Sequence, residues 1–301
     1  MNCPICKSKK ITLIWNDKIR SSIKKLTQHK KKIFRCLACD VSFLEKRYKS
    51  VPNKLILRKI TKKSQITKLQ SFHTQRESPK LQKILEINNY KNKKVLLANC
   101  GYGLTILDQI KKTAKLTAGL SENDYSFYLK EYLIKKNHLY FKNLNDIKKT
   151  RQKFDTIISP AEIEHVYDPS QYLKNFKKIL TKKGVIILRI PNHDNIYKYV
   201  LGKIYLKDDY RISHNFYFSK KSCEFLFKKN GFKVNDCLGL MEHDLNNLLH
   251  YIKILRRPMQ YDKKNNVKNI FLLNKLKNSV LTKNIEKSPL PSHFLYMIQK
   301  N

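Results

Sequence analysis

The chain has 301 residues, 41% of them hydrophobic and 11% aromatic, enough for one sizeable α/β domain plus a smaller module, which excludes a disordered chain. No apolar run approaches the roughly 18 residues that cross a bilayer, and the start, Met1-Asn2-Cys3-Pro4, has no charged-then-apolar leader pattern, so a soluble cytoplasmic protein without a membrane span is expected. The formal charge of +40 would attract any polyanion, yet its lysines are dispersed along the whole chain in the manner of solvated surface, so the sign alone assigns no partner.

Four of the seven cysteines come first, as Cys3-Pro4-Ile5-Cys6 and Cys36-Leu37-Ala38-Cys39. This paired spacing lets two tight knuckles offer four thiolates to a tetrahedral ion. Two β-prone pieces, 11–15 and 32–35, can pair and bring the knuckles together. A redox pair or disulfides is the competing reading, but cytosolic thiols stay reduced and redox chemistry needs only one such pair. Structural Zn2+ held by Cys3, Cys6, Cys36 and Cys39 is the expectation, and residues 1–47 read as a zinc-ribbon-like module. Cys100, Cys223 and Cys237 lack the spacing and read as small buried apolar residues.

Residues 48–79 form a basic connector, and Leu81, Ile84 and Leu85 give helical spacing before the first strand of the main domain, 80–301. Val95-Leu96-Leu97-Ala98 is a continuous apolar run, the mark of a strand buried on both faces. It enters Asn99-Cys100-Gly101-Tyr102-Gly103, after which Leu104, Leu107 and Ile110 recur at helical spacing. A glycine turn between strand and helix lets backbone approach a ligand closely. A second strand is predicted over 116–120, then Ser121-Glu122-Asn123-Asp124, where Ser121 and Asp124 can form a capping box. Residues 143–146 follow a third strand end.

Phe154-Asp155-Thr156-Ile157-Ile158 is the fourth strand, leading into Ser159-Pro160-Ala161-Glu162-Ile163-Glu164-His165-Val166-Tyr167-Asp168-Pro169. Asp168 and Pro169 suit an N-cap and a first helical position, and Tyr172, Leu173, Phe176, Ile179 and Leu180 give a helical stripe. Residues 184–192, GVIILRIPN, are a fifth strand. Ser219 is expected to cap a helix ending at Gly231, with Arg211, His214 and Tyr217 just before it. Residues 241–255 read as an added helix, 263–287 as a basic insertion, and 293–299 as the final antiparallel strand.

The three segments VLLANCGYG, FDTIISPAEIEHVYDP and GVIILRIPN, in that order, resemble the core of class I S-adenosylmethionine-dependent methyltransferases, and EIEHVYDP resembles their LEHVxDP pattern. The resemblance covers 80–234 and the last ten residues. It implies a Rossmann-like, doubly wound seven-stranded sheet, here with an insertion around 241–290. It also implies S-adenosyl-L-methionine held by Asn99, Gly101, Gly103, Ser121, Glu122 and Asn143. Gly101 and Gly103 match the family, whereas Leu97 stands where it usually has an acidic residue and Asn99 where it has a further glycine. Strict counting puts Ser121 where the ribose carboxylate belongs, and Glu122, one residue later, is the expected ribose contact.

By the same resemblance the acceptor meets the methyl group at 159–165, with His165 the natural base and Glu164 and His214 behind it. A histidine there can also serve only to hold the loop. With its cysteine-rich front the chain resembles methyltransferases of sugars and other small molecules, and the resemblance implies a hydroxyl or ring carbon of a small molecule, such as a nucleotide-linked or envelope sugar, as acceptor. An RNA or protein methyltransferase remains the alternative favoured by charge, and nucleic acid is not excluded as a partner. Leu97 and Ser121 favour a third reading, a non-enzymatic binding module on a methyltransferase fold. Oligomeric state is not legible.

Overall fold

The computed structural model describes residues 1–22, 25–49, 82–99, 104–121, 126–241, 285–288 and 290–301. The connector beyond Lys49, Cys100, Gly101, Gly103, Glu122, Asp124, the expected 241–255 helix after Met241 and the insertion up to 284 lie outside the described residues.

The central sheet has seven strands. Five run in chain order as β6 (Lys94–Ala98), β7 (Leu116–Leu120), β8 (Leu139–Phe141), β9 (Phe154–Pro160) and β10 (Leu180–Pro191), followed by β12 (Phe232–Leu240) and β13 (His293–Lys300). Their order across the sheet is β12-β13-β10-β9-β6-β7-β8, parallel except at β13, which runs against both β10 and β12. Buried Leu96, Ala98, Ile157, Ile186 and Leu188 pack on one face and Val95, Leu97, Ile158 and Ile187 on the other, so the apolar runs of the sequence become strands covered on both sides. Between the strands come α1 (Leu104–Lys111), α2 (Ser126–Lys135), α3 (Leu144–Lys149) and α4 (Pro169–Ile179). Then α5 (Ile196–Leu201), α6 (Lys203–Asp209) and α7 (Lys220–Lys229) follow β10.

Two helix starts follow sequence logic closely. Asp168 accepts from the Gln171 amide with Pro169 next in line, and Ser219 accepts from the Ser222 amide. Gly231 then takes the chain through φ +71°, a turn in which a side chain is strained. Leu180 is a correction: it opens β10 beside Phe154 and does not close the α4 stripe. Four residues after Phe176 and itself buried, Leu180 is covered in either conformation, so periodicity could not separate them. Gly184 explains the long strand, since a Cβ there would lie 2.7 Å from the Leu180 side chain where the β9–β10 register shifts.

The front of the chain builds a smaller sheet from β1 (Ile11–Asp17), β4 (Lys31–Cys36) and β5 (Ser42–Leu44), with a two-stranded ribbon of β2 (Arg20–Ser22) and β3 (Lys25–Leu26) alongside. The expected pairing of 11–15 with 32–35 forms, antiparallel, Ile11 opposite Cys36. Its fourth strand comes from far along the chain, after β10: β11 (Phe216–Tyr217) pairs with β5, Phe216 opposite Phe43. Cys3, Val41 and Phe43 belong to the same buried cluster as Phe216, Phe218, Phe227 and the sheet residues Ile157 and Ile186.

Candidate functional site

In an open sheet of this order the ligand crevice lies outside the carboxyl ends of the central strands, where neighbouring crossovers leave in opposite directions. Here that point is beside β6, between β7 and β9. At the end of β6, Asn99 sits at φ +50°, a left-handed conformation in which asparagine is among the more tolerated residues. Its amide donates to the Glu162 carboxylate, joining the loops after β6 and β9. Glu162 was not among the expected site residues; its signal was present as the first of two acids in EIEH.

After β7, Ser121 is 1% exposed and its hydroxyl Oγ has no hydrogen-bond partner among the described residues. A buried hydroxyl left so is costly, and a ligand hydroxyl in the crevice would satisfy it. Asn143 has other work here: its carbonyl oxygen accepts from the Asn145 and Asp146 amides at 2.9 and 3.1 Å, capping α3.

The loop after β9 folds back on itself. Ala161 takes φ +52° and donates to the Arg189 carbonyl, and the His165 amide donates to the Glu162 carbonyl at 2.9 Å. The result brings together the three residues expected on the reaction side. Glu164 is 2% exposed, its Oε1 3.8 Å from His165 Nε2, and the His165 and His214 rings meet edge to face, centroids 4.7 Å apart. One donor atom from each of the three lies within 4.8 Å of the others. His165 keeps 29% of its side chain exposed, and its Nδ1 lies 2.7 Å from the Ser213 carbonyl. A neutral imidazole donating there from Nδ1 presents Nε2 as an acceptor.

Burial pushes the His165 imidazole below its ordinary pKa, against the opposing charge of Glu162 and the Ser213 contact. Burial lowers His214 further, helped by Arg211 and by His165 itself. A neutral histidine is the form that can accept a proton. Of the residues named just before α7, Tyr217 is buried, its hydroxyl accepting from the Arg211 amide at 3.0 Å and donating to the Arg211 carbonyl at 2.9 Å.

In the front module the four cysteines converge, with Cys3 and Cys39 sulfurs 3.6 Å apart, Cys6 and Cys36 3.4 Å apart, and all four within 4.8 Å. A tetrahedral ion with bonds of roughly 2.3 Å needs sulfurs about 3.8 Å apart, whereas a disulfide needs about 2.05 Å. The contact with Cys39 lowers the Cys3 thiol while raising that of Cys39, and burial raises Cys6, so the four sulfurs share their protons as a close-packed set. The donor set is thus that of a closed thiolate site for an ion such as zinc, with no position left for substrate. As expected, Cys223 is buried; Cys237 is partly so.

The strand order, with the turn at Asn99 after β6 and the folded-back β9 loop, is that of a class I methyltransferase fold. A family profile described as a methyltransferase domain matches residues 72–236, more than half of the chain, and the chain belongs to that family. It is an enzyme, and S-adenosylmethionine is its methyl donor.

Among solved structures, the chain is 15% identical to mycolic acid cyclopropane synthase CmaA1 complexed with SAH and CTAB, over 74% of this chain and 84% of that one, with a TM-score of 0.49. It is 15% identical to StiE O-MT over 74% of each chain, TM-score 0.44. It is 11% identical to an S-adenosylmethionine dependent methyltransferase from Mesorhizobium loti, over 74% of this chain and 97% of that one, TM-score 0.42. A comparison with curated protein sequences gave no match. No helix among the described residues is long and apolar enough to cross a membrane.

Proposed function

We propose that the enzyme methylates a hydroxyl or ring carbon of a small molecule, a nucleotide-linked or envelope sugar being the leading class, with His165 as the base. The observation that carries this reading is the junction of Glu164, His165 and His214: a largely buried, neutral imidazole, fixed through Nδ1 and backed by a buried carboxylate. Such a group suits removal of a proton from an acceptor, a contribution of roughly 100- to 10,000-fold. When bound, S-adenosylmethionine supplies an electrophilic methyl group on a sulfonium. Ser121 and, next to it in sequence, Glu122 would meet its ribose, while Asn99, held by Glu162, would meet its amino-acid end together with the Gly101 to Gly103 stretch. Asn143 supports the adenine side through its capped turn.

In this reading His165 accepts the acceptor proton at Nε2, Glu164 stabilises the imidazolium so formed, and His214 walls the pocket. Most of the remaining acceleration comes from alignment, worth up to roughly 7–11 kcal/mol for two well-oriented reactants. The cysteine module binds structural zinc. RNA as acceptor is disfavoured by SPAEIEH, which lacks the Asn/Asp-Pro-Pro-aromatic pattern of amino methylation on bases.

Calorimetric titration of zinc-replete protein with S-adenosylmethionine and S-adenosylhomocysteine is the first test, followed by label transfer to a panel of nucleotide sugars and to RNA. Micromolar cofactor binding with label on a sugar supports the proposal. Label on RNA, retained at physiological salt, replaces it, and failure to bind either ligand leaves the binding-module reading.

A further inference from the structure

Asn215 is completely buried, at a junction of three segments distant in sequence. Its Nδ2 donates to the Tyr48 carbonyl at 2.8 Å and to the His165 carbonyl at 2.7 Å, while its Oδ1 accepts from the Tyr48 amide at 2.8 Å. Its own amide donates to the Glu164 carbonyl at 2.9 Å, and its carbonyl accepts from the Leu44 amide at 3.2 Å. Every hydrogen-bonding group of the residue is therefore engaged either with the front module and its continuation or with the loop that carries His165. A side chain that is both donor and acceptor at this length is needed, and only asparagine provides it.

The neighbours of Asn215 repeat the pattern. Ser213 holds the His165 ring, and β11 immediately after Asn215 is the strand added to β5. On the other side the Arg20 amide donates to the Tyr210 carbonyl at 2.8 Å and the Ile212 amide donates to the Arg20 carbonyl at 2.9 Å. The stretch bearing His214 thus hangs between β2 and β5 of the module. β5 in turn begins three residues after Cys39, and β4 ends at Cys36, so the cysteine knuckle sets the turn between them.

We propose that the cysteine-held module is the positioning element of the reaction side, and that Asn215 transmits its order to His165 and His214. This rests on the reading of those histidines given above. Asn215 touches neither donor nor acceptor; it is a positioning residue. Metal held by the four thiolates fixes the β4–β5 turn, β5 fixes β11, and Asn215 with Ser213 fixes the backbone and ring of His165. The cofactor side, on the loops after β6 and β7, meets this chain of contacts at Glu162, whose carboxylate takes the Asn99 amide while its carbonyl takes the His165 amide, on the far side of His165 from Asn215.

The test uses the full chain with ring-labelled histidines, followed by NMR across pH, with signals assigned through His165→Gln and His214→Gln. Two perturbations are applied separately: chelation of the metal, and Asn215→Asp in protein shown by metal analysis to keep its zinc. The charged and titratable groups acting on this pair are Glu162, Glu164 and Arg211, with Arg20 and His293 acting on His214. Asn215→Asp adds a carboxylate beside the His165 backbone and is expected to raise the His165 midpoint by about one unit. Both perturbations should shift the His165 and His214 signals. His138, bonded to Thr117 and Asp108 away from the module, should keep its signal, and S-adenosylhomocysteine affinity should stay within about threefold. Unmoved His165 and His214 signals in zinc-loaded Asn215→Asp, or equal movement of His138, would overturn the proposal. Loss of cofactor binding in the unaltered protein would instead defeat the functional reading and leave this coupling measurable.

Discussion

His193 shows how a single residue records its surroundings. It is 3% exposed, its Nδ1 has no hydrogen-bond partner among the described residues, and burial aided by Lys198 takes its pKa from 6.5 down to about 3. Its folded pKa lies below its unfolded one, so the unfolded chain binds the extra proton as pH falls. Stability should therefore decline from pH 6.5 toward about 3. Thermal melts of His193→Leu over that range should show a flatter dependence, and an unchanged slope would contradict the assignment. The Asn99–Glu162 pair makes a second residue-level expectation: Asn99→Ala should weaken S-adenosylhomocysteine binding roughly tenfold by calorimetry, the effect of one hydrogen bond to a charged group.

At the scale of elements, helix starts and strand edges give the clearest expectations. Ser219→Ala removes both the α7 cap and a contact to Asp40 of the front module, and should destabilise by about 1–2 kcal/mol in denaturant unfolding. Asn143→Ala should lose about 1 kcal/mol through α3 alone, and a much larger fall in cofactor affinity would point to a direct contact. The strands were legible because burial on both faces writes itself as apolar runs, as in Val95-Leu96-Leu97-Ala98 and the FDTIIS segment. Caps were legible because Asp-Pro and Ser before a helical stripe have one economical use. Leu180 was not, because helix and strand would both bury it. Glu162 and Asn215 escaped notice for another reason: their partners, Asn99 and Tyr48, are separated from them by 63 and 167 residues, and nothing local marks such pairs.

The whole molecule ties its two parts more closely than the spacing of the cysteines implied. Besides the β5–β11 pairing and the shared core, Arg35 of the module bridges Asp40 and Asp194 at 2.7 and 2.9 Å, and Lys229 donates to the Ile5 carbonyl. Because β11 completes the front sheet and the two cores are continuous, the two parts should unfold in one step. Chelation or Cys36→Ser should therefore lower the melting temperature of one common transition in calorimetry. A separate early transition with the main melt unmoved would show that the parts are independent.

The same strand pairing sets a schedule for folding during synthesis. The cysteine knuckles emerge first, but Asn215 leaves the ribosome 167 residues after the Tyr48 it must grip. At roughly 5–20 residues per second, the front sheet waits for its last strand for about 8–33 s. Throughout that interval the edge of β5 is open and its apolar Phe43 lacks Phe216, so misjoining at that edge is a hazard of the nascent chain that the finished enzyme no longer carries.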